Sequence, residues 1–454
     1  MKERFVLLLR RAIYEMRGGF LVRPLIIALV LGCTGALLSY AEETVPVLSS
    51  WLPAVLFPSR ADPQVAQVIL AGIAGSIMTV VSIVFAILLM TLTLASMQFS
   101  PRIMLSFTRD RVTQWTLGIF LGTFLYCVAA LPAARSLPTA FSPVLTVLGA
   151  VLLALACVCW LLFFIHHIAQ AISVNQIVDK IASETETVID EMMPSARRES
   201  SLASHTLPPG LVFETPILNA HSGYIRFVDL ARLLEVAKSY RVNVRVLRRV
   251  GHFVPAGVPL LEVSRADRLP AGGHAALLGA FDFGPSRTLQ QDVEFGVLQI
   301  VDIALSAISP AVNDPSTAIS CVDQLSRILI RFAGREPPDG VLYDLPGVPR
   351  VIISWIDFER LLDAAFEQIR LYSPNDVAVS LRMLRALRDV AATIGDPALR
   401  RLLIERGRRI VDGCAARLSD PELTEIHARL RTLESLARPE GPARAACSRL
   451  PSLE

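Results

Sequence analysis

The sequence predicts a membrane all-α domain of four transmembrane helices followed by a cytoplasmic α+β region, itself a small barrel-sandwich-like β module and a helical domain. Three observations carry that prediction. Of 454 residues 53% are hydrophobic, and the mean hydropathy is +0.50, too apolar for an ordinary soluble chain of this length. The long apolar runs all lie before about position 170, and most charged residues lie after it. Beyond that point the texture changes to short β-like runs and then to amphipathic helical spacing.

Residues 1–23 place apolar side chains at 5, 6, 9, 12, 13, 16 and 20, a helical stripe interrupted by Arg10 and Arg11. No small-residue cleavage site follows, so the segment reads as an amphipathic interfacial helix on the inner leaflet rather than a signal peptide. Residues 24–168 hold the membrane domain, with spans at about 24–40, 66–97, 115–131 and 141–165 and no ionisable side chain at any centre. A helix needs about 20 apolar residues to cross the hydrocarbon core. The second span exceeds that and, unless tilted, is expected to project into the cytoplasm. Lys2, Arg4, Arg10, Arg11, Arg17, Arg23, Arg102, Arg109 and Arg111 fall on one side of this arrangement, against Arg60 and Arg135 on the other. The positive-inside rule then places both termini in the cytoplasm.

Apolar spacing continues through IVDKIASETETVIDEMM, so 169–210 is read as a helical stalk ended by Met193-Pro194 and followed by a Ser-rich linker. Residues 211–265 form the β-rich module. Its V-G-x-F-V-x-x-G-x-P-L run, Val250 to Leu260, resembles the turn of lipoyl-like modules, but the only lysine there is Lys238, on a predicted helix. Covalent lipoate or biotin carriage is therefore excluded. Residues 275–437 are mainly helical, with a strand pair at GVLYDL and RVIISW, and 438–454 read as a disordered tail.

The cysteines, seven and scattered, define no disulfide framework. Adjacent His166 and His167 point about 100° apart on a helix and make a poor metal pair, so no metal or other cofactor is expected. G-x-x-x-x-G-K-[ST], H-E-x-x-H, G-x-S-x-G and paired C-x-x-C are absent, which argues against an enzyme. A net charge of +3 with interleaved arginines and acids argues against nucleic-acid binding.

Three groups of residues stand out. On the second span, Gly72, Gly75, Thr79, Ser82, Ala86, Thr93 and Ser96 form a small or hydroxylic stripe, broken only near Leu89 and Met90. It reads either as a helix-packing seam, within one chain or between subunits, or as a pore wall. Gln98, Ser100, Pro101, Arg102, Arg109 and Arg111 read as a capped amphipathic turn meeting lipid phosphates, or as the inner mouth of a pore. Finally, ISPAVNDPSTAIS interrupts the helical domain. Pro310 ends one helix near Ile308, and Asp314 before Pro315 is an N-cap followed by proline at the first helical position. The stretch is then either a helix corner, or a functional corner if Arg287, Gln291, Asp292, Glu294 and Asp302 converge on Asn313 and Asp314.

The runs SIVFAILLMTLTLASMQFSPRIMLSFTRDRVTQWTLGIFLGTFLY and QQDVEFGVLQIVDIALSAISPAVNDPSTAISCVDQL resemble a bacterial family of predicted membrane proteins, domain of unknown function 2254. The resemblance covers nearly all the chain except the tail. It implies a bacterial cytoplasmic (inner) membrane protein and supplies no activity. Coupled carriers usually bury an acid or base in the bilayer, and the spans hold none centrally. The residues therefore favour a homo-oligomeric passive channel for ions or small solutes, gated by the cytoplasmic region. The alternative is a membrane-anchored sensor or scaffold. The partners expected are the lipid bilayer and further copies of the chain.

Overall fold

The computed structural model describes residues 22–45, 62–98, 111–135, 141–171, 173–193, 212–338, 340–344, 347–415 and 417–436, with the side chains at 91–92, 94–98 and 170–171 left aside. The readings of 1–21 as an interfacial helix, of 194–210 as a linker and of 438–454 as a tail lie outside these residues. The chain divides into two compact units, residues 1–173 and 174–454.

In the first unit, α1 (Val22–Thr44), α2 (Pro63–Gln98), α3 (Arg111–Ala130) and α4 (Val144–Ala171) are each long and apolar enough to cross a membrane. Helix α3 is the hub, packing against the other three. Glycines allow that approach. A Cβ on Gly35 of α1 would lie 2.7 Å from the Tyr126 carbonyl oxygen of α3, and one on Gly118 of α3 would lie 2.9 Å from Ile27 Cδ1. Close backbone packing of this kind replaces the hydrophobic effect, which cannot drive helices together in lipid. Between α3 and α4, Trp160 Nε1 donates to Thr116 Oγ1 at 2.9 Å, and the Tyr126 hydroxyl donates to the Thr146 carbonyl at 3.1 Å.

One end of this bundle carries a polar clasp. Glu42, 1% exposed, accepts from the Leu145 N–H at 2.9 Å, the Thr146 N–H at 3.2 Å and the Thr146 hydroxyl at 3.2 Å. A carboxylate from α1 thus caps the free N–H groups that open α4, where the helix dipole favours negative charge. Its neighbour Glu43 pairs with Arg135, and Gln67 of α2 donates to the Ala134 carbonyl.

The second unit begins with α5 (Val174–Met192). Its buried stripe of Ile177, Val178, Ile181, Thr185, Val188 and Ile189 packs on two later helices, α8 (Val293–Ile308) and α9 (Pro315–Ala333). The structure thus shows α8 and α9 covering the apolar stripe of α5. Gly296 of α8 meets Thr185 of α5 so closely that a Cβ would collide with the threonine side chain. Along the rim, Arg327 of α9 reaches Asp179 at 2.8 Å and Glu186 at 2.5 Å, while Arg331 and Arg335 share Asp190.

Hydrogen bonding from Arg331 holds the Asp190 carboxyl below its ordinary value. A depressed folded value stabilises the fold above about pH 4, the unfolded aspartate range, and the benefit is lost as pH falls below it. Asp190 and Arg331 are partly exposed, so the effect is small and screened by salt. Asp190→Asn is expected to shallow the acid limb of thermal stability below about pH 4 at low ionic strength and to change nothing at high salt. An acid limb identical to wild type under both conditions would refute the ladder's role.

The β strands are β1 (Thr215–Leu218), β2 (Gly223–Val228), β3 (Asn243–Val246), β4 (Phe253–Val254), β5 (Pro259–Ser264), β6 (Phe281–Gly284), β7 (Val341–Asp344) and β8 (Val348–Ile352). They form two sheets, β1-β5-β3-β8-β7 and β4-β2-β6, about one apolar core that includes Ile225, Val244, Val254, Leu261 and Val351. α6 (Leu230–Tyr240) adds Leu233 and Ala237 to that core, and the short α7 (Gly273–Leu278) adds Leu277. The barrel is not closed. Nor does the β structure stop at residue 265, because β6 completes one sheet and β8 pairs in parallel with β3 in the other. Local pattern finds strands but not partners about a hundred residues away.

The remaining helices are α10 (Phe358–Tyr372), α11 (Val377–Thr393), α12 (Pro397–Ala415) and α13 (Asp420–Ser435). Aspartate carboxylates cap α6, α8, α9, α10 and α11, each accepting from the backbone N–H three residues on. That is the residue type helix starts prefer.

Candidate functional site

In the first unit, α2 buries Ala66, Leu70, Ala74, Ile77 and Val84 against its neighbours. Gly72, Gly75, Thr79, Ser82, Ala86 and Thr93 lie on a different face, and all are exposed. Nothing comes within 4 Å of a Cβ placed on Gly72 or Gly75, whereas Gly35, Gly118, Gly122 and Gly149 of the same unit are all in tight contact. The stripe is therefore not a packing seam within the described part of one chain. Its hydroxyls are turned inward: Thr79 donates to the Gly75 carbonyl at 3.1 Å, Ser82 to Met78 at 3.0 Å and Thr93 to Leu89 at 2.8 Å. The side chains of Ser96 and Gln98, and the whole of Ser100, Pro101, Arg102 and Arg109, lie outside the described residues. Arg111 opens α3 and is exposed.

In the second unit, part of the sequence-predicted cluster converges. Arg287 makes a two-pronged ion pair with Asp292, Nε to Oδ2 at 2.7 Å and Nη2 to Oδ1 at 2.8 Å, and also reaches Glu294 at 3.0 Å. Asp292 has a second task as the N-cap of α8, accepting from the Phe295 N–H at 3.0 Å. Gln291 grips the end of β2 through both backbone groups of Val228, accepting at 2.9 Å and donating at 3.3 Å. Gln291 thus ties the approach to α8 to the β module.

The pair is buried: the side chains of Arg287 and Asp292 are 13% and 3% exposed. Burial raises the Asp292 carboxyl above its ordinary value, against the pull of Arg287 and of the Phe295 N–H. Arg287 and then Arg249 and Arg360 overcome burial at Glu294, which is lowered. A desolvated pair adds little net stability, but losing one partner strands a buried charge. The turn before β4 makes room for the pair. Gly251 has φ +86°, and a Cβ there would strike Asp292 and Arg287.

Asp302 lies midway along α8, half-buried. Asn313, Asp314 and Pro315 lie beyond its far end. A helix of 16 residues puts them on the order of 20 Å from Asp292 at the usual rise per residue, so the two groups do not form one site. Asp314 accepts from the Thr317 N–H at 3.2 Å and from the Thr317 hydroxyl at 2.6 Å, with Pro315 in the first turn of α9. Asn313 takes a left-handed φ of 48°, which asparagine tolerates better than most residues. The hydrogen bonds at Asp314 are those of a helix corner.

Sequence reasoning missed Arg249, His252 and Arg360, which surround the same joint. Arg360 reaches Glu294 at 3.4 Å, and Arg249 lies 3.4 Å from the His252 ring nitrogen. They come from two elements, the turn before β4 and α10, and only the glycine of the VGHF run hinted that its turn approaches something closely.

Comparison with known proteins places these motifs in a family. The chain is 33% identical over 400 residues to uncharacterized proteins of Mycobacterium bovis and Mycobacterium tuberculosis, an alignment covering 86% of this chain and 75% of each relative. No solved structure matches it. The family model described as predicted membrane protein, DUF2254, matches residues 17–389, and the chain belongs to that family.

Proposed function

We propose that the protein is a homo-oligomeric passive channel of the bacterial inner membrane, in which copies of α2 line a path for ions or small solutes. Both termini are cytoplasmic in this reading, and the second unit gates the path. The observation that carries it is the face of α2 from Gly72 to Thr93: mostly small, exposed, and with no described atom near a Cβ placed on Gly72 or Gly75, while the unit's tightly packed glycines serve contact between helices. A wall that is polar at the backbone yet uncharged passes solutes without trapping them. Gating is supported by chain connectivity, since α4 ends at Ala171 and α5, held by the arginine ladder, starts at Val174.

One observation favours a second reading, a membrane-anchored sensor or scaffold. The hydroxyls on this face already donate to their own helix, as they would in a tight seam between subunits that conducts nothing. Single-channel recording and solute flux with the purified chain in liposomes separate the two. The channel reading expects conductance that Gly75→Leu abolishes while the solubilised protein keeps its thermal stability, because the position is exposed and a Cβ there meets no atom of the described residues. A reconstituted oligomer silent under voltage, tension and osmotic shock would leave the scaffold.

A further inference from the structure

The joint in the second unit holds more positive charge than its carboxylates absorb. Arg248, Arg249, Arg287 and Arg360 gather about Asp292, Glu294 and Asp357. Those three acids are already engaged: Asp292 and Glu294 hold Arg287, Glu294 also reaches Arg360, and Asp357 caps α10 by accepting from the Arg360 N–H. Arg249 is half-buried, and among the described residues no carboxylate lies within ion-pair distance of it. Its hydrogen-bond contact is the His252 ring at 3.4 Å, which leaves most of a guanidinium's five donors without a protein acceptor.

Arg249 opens onto a cleft. The floor lies between Met193 at the end of α5, the start of α8 at Asp292 and Glu294, and Ile353 and Trp355 after β8, with about 30 Å³ of free space. That admits an oxygen or two of a ligand, not a ring. The apolar walls lower the local dielectric, so an unmatched cation there attracts an anion more strongly than it would in open water. A cationic ligand is repelled by Arg249, and a neutral one leaves the guanidinium as it found it. Burial, and then the charges of Arg249 and Arg360, hold the neighbouring His252 below its ordinary value.

We propose that this cleft binds a small oxyanion, a phosphate group, with Arg249 as its principal ligand. The planar fork of an arginine matches two oxygens of such a group at once, and the shallow floor seats the phosphoryl end while any ester substituent stays outside. The group belongs either to a soluble phosphate or phosphomonoester or to an anionic lipid headgroup. This inference stands apart from the transport reading and survives its failure.

The test uses the full chain in two settings. In detergent, inorganic phosphate is titrated at constant ionic strength against chloride while thermal unfolding is followed. In nanodiscs, phosphatidylcholine alone is compared with phosphatidylcholine containing phosphatidic acid. The expected result is a saturable rise in melting midpoint with phosphate or with phosphatidic acid, whichever is the source. Arg249→Ala is expected to weaken the apparent affinity by about tenfold or more, the worth of one charge-assisted fork. Arg249→Lys keeps the charge, guards against a folding defect, and should bind with intermediate affinity. Arg385→Ala removes an exposed cation paired within α11 and should bind as wild type does. The proposal is overturned if neither phosphate nor phosphatidic acid stabilises beyond its control, or if Arg249→Ala and Arg385→Ala respond alike.

Discussion

Arg287→Ala is expected to destabilise the second unit by about 3–5 kcal/mol, the penalty for stranding a buried charge. Asp292 would keep its position because it still caps α8, and Glu294 lies beside it, so two carboxylates would face each other without the guanidinium between them. Relief comes from removing the second charge as well. Arg287→Met combined with Asp292→Asn keeps an oxygen for the Phe295 N–H and should recover more than half of the loss. The measurement is thermal or denaturant unfolding of the solubilised chain, read as a double-mutant cycle. A single-variant loss below about 1 kcal/mol, the range of exposed pairs, would show that the joint is wet and loosely held. Gly251→Ala attacks the same pair from the turn, through a Cβ that collides with it and a φ of +86° that strains any residue with a side chain.

Glu42→Ala is expected to cost about 3 kcal/mol, because it leaves the Leu145 and Thr146 N–H groups and the Thr146 hydroxyl without their shared acceptor in a buried place. Glu42→Gln retains a carbonyl oxygen and should lose less than half as much. The readout is the melting midpoint of the purified protein in detergent. Equal behaviour of wild type and Glu42→Ala would mean that water replaces the carboxylate at the start of α4. The residue escapes a hydropathy reading because it sits at the end of an apolar run, where acids are ordinary. Its burial comes from α4, about a hundred positions later.

Elements whose cause is local were legible. Four apolar runs, each long enough to cross a bilayer, became α1 to α4. Pro310 and the Asp314-Pro315 pair marked the end of α8 and the start of α9, because proline removes a donor and aspartate replaces an acceptor within three residues. The apolar stripe of α5 was equally plain. Part of the charged cluster was also legible: Arg287, Asp292 and Glu294 lie within eight positions, and the turn into α8 folds them together.

Partnership between distant segments was not legible. The alternation that marks β3 carries no sign of β8, and apolarity in all four spans does not say which of them the others pack on. The small stripe on α2 and the glycines of α1 and α3 look alike in sequence, yet only the latter meet a neighbour. Arg249, His252 and Arg360 are unremarkable letters until the β module and α10 bring them to one joint. Secondary structure is set by interactions a few residues long, which a sequence displays. A site is set by which surfaces exclude water together, and that depends on the whole packing.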